Sequence, residues 1–97
     1  MKEAAPLGNM ADVHGYARQL LASKKTREAS EVFKANYKKY PDKFMTNMGM
    51  VRALSSEGKY KEALKYANAA LLQAPDNPNK LNVEEMIGKL KEGKDVN

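Results

Sequence analysis

Apolar residues recur along this chain at intervals of three and four. Val13, Tyr16, Ala17, Leu20 and Leu21 share one stripe, and Ala29, Val32, Phe33 and Tyr37 a second with Asn36 among them. Ala63, Leu64, Ala67, Ala70 and Leu71 form a third, and Val83, Met86, Ile87 and Leu90 a fourth. This spacing is that of one face of an α-helix. The ends of the helices are legible too. Asn9 is a good capping residue with Asp12 three positions on, so a first helix is predicted from there through about Ser23. Thr26 is the expected cap of a second helix, which ends near Tyr40 because Pro41 drives the preceding residue out of the α region. Asp42 is expected to cap a third helix, Lys43 to Glu57, closed by Gly58 in the left-handed conformation. A fourth is predicted from Tyr60 to Ala74, stopped by Pro75. A fifth begins at Asn77, with Pro78 in the first helical position. A later start at Asn82 is the alternative, with Glu85 in the capping-box position and Leu81 and Met86 as a hydrophobic staple. Gly93 ends it.

The pattern repeats internally. Arg18 and Arg52, Leu20 and Leu54, Glu28 and Glu62, Ala29 and Ala63, Pro41 and Pro75, and Asp42 and Asp76 are each 34 positions apart. A period of this length marks a helical hairpin used more than once.

These residues resemble the tetratricopeptide repeat family. The best-matched stretches are Arg27-Glu28-Ala29-Ser30-Glu31-Val32-Phe33 to Pro41-Asp42, and Gly58-Lys59-Tyr60-Lys61-Glu62-Ala63-Leu64 to Ala70-Leu71 and Pro75. The likeness covers about Asn9 to Asn77. It implies an all-α fold, an α-solenoid of five helices: two TPR helix-turn-helix hairpins (9–41 and 42–75) and a C-terminal capping helix (78–92). The last helix would cover the apolar face that the second hairpin leaves open. On this reading 1–8 is a disordered N-terminal segment, 9–93 the TPR-like domain and 94–97 a polar tail. Lys24 and Thr26 stand where the family usually has Gly and Tyr, and Asn36 where it has a small Ala. Val51 replaces a small residue and Ala67 an aromatic. The closing residues Asn79 to Asn97 also resemble the C-terminal region of exported Bacteroidetes-type proteins of unknown function, which implies a longer, exported parent.

Composition narrows the chemistry. Ninety-seven residues suffice for one domain, and 42% hydrophobic with 30% charged residues is a globular balance. The absence of Cys excludes disulfides and thiolate chemistry. The net charge is +5, but the signs are interspersed, as in Arg27-Glu28, Lys61-Glu62 and Lys91-Glu92. That describes solvated helix faces, not the one-sided basic surface of a nucleic-acid binder. No apolar run approaches the ~20 residues of a membrane span. Met1 to Leu7 lacks the apolar stretch of a signal peptide.

No catalytic constellation is visible. His14 is the single histidine and has no activated nucleophile beside it in sequence. Metal-ligand spacing is absent. Gly58-Lys59 lacks the earlier glycine and the following Ser or Thr of a phosphate loop. Glu84 and Glu85 point about 100° apart on a helix and are helix-start acids. Neither an enzyme nor a cofactor is expected. Gly15, Gly49 and Gly88 fall inside helices, where close helix contact is the expected reason.

The functional expectation is geometric. In a tetratricopeptide stack the first helix of each pair lines a concave groove, and the resemblance places His14, Arg18, Met45, Met48, Arg52, Asn82 and Lys89 there. Arg18 and Arg52 occupy equivalent places one repeat apart and could clasp a carboxylate through paired hydrogen bonds. The methionines would supply adaptable apolar contact. The expected function is a protein-interaction or scaffolding module that holds a peptide, acidic by charge complementarity. The alternative is a structural appendage that packs on another domain of a longer parent or self-associates as a homo-oligomer.

Overall fold

A computed structural model describes residues 9–97. The segment 1–8, expected to be disordered, lies outside the described residues. The chain forms five helices: α1 (Met10–Ala22), α2 (Thr26–Lys39), α3 (Phe44–Ser56), α4 (Tyr60–Gln73) and α5 (Asn77–Lys91). There is no strand among the described residues. Each helix packs on the next, and α1 also meets α3. The architecture is therefore the all-α stack of helical hairpins anticipated from the repeat.

α3 is the centre of the stack. Met48, Met50, Val51 and Leu54 pack with Ala63, Ala67 and Ala70 of α4 and with Val83, Met86 and Leu90 of α5. Ala53 turns the other way, into a second cluster with Ala17, Leu20, Ala29 and Phe33. Because α3 is covered on both sides, almost all of it from Thr46 to Ser55 is buried. The alanines of α2 and α4 are what permit this: a methyl side chain lets helix axes approach closely while still burying apolar area. Ala67, where the family usually carries an aromatic, is fully enclosed at 0% exposure. Asn36 is buried as well, and its side-chain amide donates to the Met10 carbonyl at 3.1 Å.

Three expected caps are corrected. Thr26 is the first residue of α2 and not its cap; Lys25 takes the cap position without a side-chain hydrogen bond. The cause is that Ser23, Lys24 and Lys25 are consumed in closing α1, with Lys25 N–H donating to the Leu20 carbonyl and Lys24 N–H to the Leu21 carbonyl. Asp42 does not cap α3. It adopts a left-handed φ of 55°, and its carboxylate accepts instead from the Asn47 amide at 3.1 Å. The start of α3 is held by Thr46, whose hydroxyl accepts from Lys43 N–H at 3.2 Å and donates to the Tyr40 carbonyl at 2.6 Å. At α5 the cap is Asp76, which accepts from Asn79 N–H at 3.0 Å, so Asn77 and Pro78 lie within the first turn. The helix runs unbroken through Asn82, and Leu81, expected to staple onto Met86, is 65% exposed.

The last four residues also depart from expectation. They are not a free polar tail but a strap across α3. Val96 is buried, its N–H donates to Ser55 Oγ at 2.8 Å, and that hydroxyl donates to the Asp95 carboxylate at 2.7 Å. The Asn97 amide donates to the Arg52 carbonyl at 3.0 Å.

Candidate functional site

The odd-numbered helices share one side of the stack, so side chains at matching depths on α1, α3 and α5 converge. His14 and Arg18 are one turn apart on α1. Met45, Met48 and Arg52 follow at helical intervals on α3, and Asn79 and Asn82 one turn apart on α5. Together with Phe44 they line a concavity of about 210 Å³. Its floor is Met48, 6% exposed and part of the core. Met45 and Phe44 are half-buried, and Arg18 stands exposed at the rim.

The electrostatics are one-sided. The Arg52 guanidinium is half-buried. Burial first, and Arg18 second, push its pKa down to about 10. His14 lies with its ring edge-on to Phe33, the centroids 5.4 Å apart. Burial, then the charges of Arg52 and Arg18, lower its pKa to about 4, so the imidazole is neutral at neutral pH. His14 Nδ1 and Arg52 Nε are both buried without a hydrogen-bond partner. Among the described residues neither guanidinium is ion-paired, since the salt bridges run between Lys34 and Glu57, Lys59 and Glu57, and Lys94 and Glu92. Among the described residues the Arg52 guanidinium has one weak polar contact, Nη1 donating to Asn97 Oδ1 at 3.4 Å. Two cations that line one concavity without a counter-charge among the described residues make a site suited to an anionic group.

Six of the seven residues expected in the groove are brought together here. Lys89 is not. It lies two turns beyond Asn82, exposed in the last turn of α5, where a cation complements the negative helix end. Phe44 and Asn79 line the concavity and were not foreseen. The signal was present, since Phe44 precedes Met48 by four residues and Asn79 precedes Asn82 by three, each pair on one helix face.

A more open depression of about 400 Å³ lies at the start of α4, bordered by Gly58 to Glu62. These five belong to one turn of chain, so among the described residues no groups converge on it from different helices. Among the described residues no three His, Asp or Glu side chains cluster as metal ligands would, and no helix is long and apolar enough to cross a membrane.

No curated protein and no solved structure matches the chain. A family model described as tetratricopeptide repeat matches residues 20–81, well over half of the sequence. That span takes in the closing turn of α1, the whole of α2, α3 and α4, and the opening of α5. Repeats of this kind generally mediate protein–protein interaction and are typically non-enzymatic. With the 34-residue equivalence, the stacked hairpins and this match together, the chain belongs to the tetratricopeptide repeat family.

Proposed function

We propose that the chain holds a segment of a partner protein on its concave face, with an acidic group of that segment seated between Arg18 and Arg52. The observation that carries this is the pair of equivalent guanidiniums, one repeat apart, without a carboxylate partner among the described residues. Asn79 and Asn82 offer amides to a peptide backbone, and Phe44, Met45 and Met48 offer apolar contact beside the charge. A carboxylate there relieves the mutual repulsion of the two cations and gains charge-assisted hydrogen bonds.

The test uses affinity capture and a panel of acidic, neutral and basic peptides, with the native chain and an Arg18→Glu/Arg52→Glu variant in parallel. Acidic peptides and any captured partner should bind the native chain and be lost, by tenfold or more, from a variant that circular dichroism shows to be helical. Equal binding by both proteins would remove the groove from consideration.

A second reading is favoured by a different observation. Leu72 is 90% and Leu81 65% exposed. Large apolar side chains this open suit packing on a further domain of a longer parent or on a second copy of the chain. On that reading the resemblance of the closing residues to exported Bacteroidetes-type proteins makes the parent an exported one. Light scattering at high concentration tests self-association, which a clean monomer excludes.

A further inference from the structure

This inference rests on the reading of the concave pocket as an anion site and concerns how that site is regulated. We infer that the anion enters together with a proton, which lodges on His14, so that occupancy strengthens as the pH falls from 7 towards 5.

The geometry supplies the coupling. His14 is faced from its own helix by Arg18, one turn on, and from α3 by Arg52. From α2 it meets the Phe33 ring, and from α5 the amides of Asn79 and Asn82 border the same concavity. Among the described residues no carboxylate lines the pocket. Without a bound anion, burial first and the charges of Arg52 and Arg18 second keep the imidazole neutral down to about pH 4. An oxyanion between the guanidiniums offsets the repulsion that they exert on a protonated ring. His14 lines the same concavity, so a protonated ring lies beside the anion and is attracted to it. The balance is simple: one anion and one proton enter, and no bond in the protein is made or broken. His14 is the single histidine, and guanidiniums do not titrate between pH 7 and pH 5, so the pH dependence belongs to the imidazole. Should the bound-state pKa recover most of the way to the ordinary 6.5, affinity for an anion of fixed charge rises about fourfold to twentyfold between pH 7 and pH 5.

Sulfate is the probe, because its charge does not change over this range. The experiment is run at low, fixed ionic strength in buffers without carboxylates. His14 is the single histidine of the chain, so its imidazole carbon-bound protons report the titration in the native protein without assignment by mutation. Expected are a His14 titration near pH 4 without sulfate, a rise of at least about 1.5 pH units when sulfate saturates, and sulfate binding that tightens at least about fourfold from pH 7 to pH 5. The His14→Gln variant should bind sulfate with no such pH dependence, while circular dichroism shows the helices intact at each pH. If sulfate binds but the imidazole titration does not move, the proton coupling is overturned and the anion site stands. If the native chain fails to bind sulfate at low salt, the anion site falls and the coupling with it. The native-chain titration decides the matter even if the Gln variant does not fold.

Discussion

Lys24 and Gly58 occupy the same place one repeat apart, each closing a helix with a left-handed backbone, φ 66° at the lysine and 78° at the glycine. The hydrogen bonds match: Lys25 N–H to the Leu20 carbonyl at 2.8 Å in the first hairpin, Lys59 N–H to the Leu54 carbonyl at 2.9 Å in the second. This is the closure for which glycine is suited. A side chain there is strained, by roughly 1 kcal/mol or more. Lys24→Gly should therefore stabilise the protein by about 1 kcal/mol and raise Tm by roughly 4–8 °C. Gly58→Ala should lower stability by a similar amount. Thermal unfolding of the two variants checks both signs at once.

The glycines inside helices should behave in opposite ways. A Cβ on Gly49 would lie 2.8 Å from Cδ1 of Phe33, a ring enclosed in the core, whereas a Cβ on Gly15 or Gly88 meets nothing within 4 Å. Close helix contact, expected for all three, holds for Gly49 alone. Gly49→Ala is expected to cost about 1–3 kcal/mol through overpacking. Gly15→Ala should stabilise by roughly 0.5–1 kcal/mol, because alanine loses less backbone entropy in a helix. Urea unfolding midpoints separate the two.

Acid should weaken the fold through His14 before the carboxylates titrate. The unfolded ring takes up a proton near pH 6.5, but the folded one only near pH 4. Between those values the unfolded state binds more protons, so stability falls as the pH drops. For this half-buried ring the loss from pH 7 to pH 5 should be on the order of 1–2 kcal/mol. Above pH 7 the profile is flat with respect to this group. His14→Gln removes the slope, which denaturant titrations at pH 7.5, 6 and 5 would reveal. A slope unchanged in the variant would assign the effect elsewhere.

Ser55 ties the strap to α3. The residue is 1% exposed, and its hydroxyl serves both Asp95 and the Val96 N–H. Ser55→Ala leaves that buried N–H without an acceptor and should cost about 1–3 kcal/mol. Amide exchange at Val96 would accelerate in the variant ahead of exchange in the core of α4. Unchanged Val96 protection would show that the strap is held by its other contacts.

Helix positions, hairpin order and the equivalence of Arg18 with Arg52 were all readable from the chain, because they follow from local periodicity. A stripe repeating every three or four residues has to face a core, and two positions 34 apart in matching hairpins inherit the same orientation. The placement of His14, Met48 and Asn82 on the concave side is what the family resemblance implies, since the first helix of each pair lines the groove there. Cap identities do not follow from periodicity: Thr26, Asp42 and Asn77 are all competent caps, and which residue takes the place depends on the neighbours that the turn consumes. Lys89 shares the helical phase of Asn82, but distance along the axis keeps it out of the residues that line the concavity.

What only the tertiary structure decided is where distant groups meet. The low basicity of His14 needs burial plus the charge of Arg52, contributed by another helix. The tightness at Gly49 needs Phe33 across an interface. The strap needs Ser55 and Val96 to meet across 41 positions of sequence. Periodicity says which face of a helix turns inward. It carries no information about which atoms from other helices wait there, and desolvation, charge repulsion and steric contact all depend on those atoms.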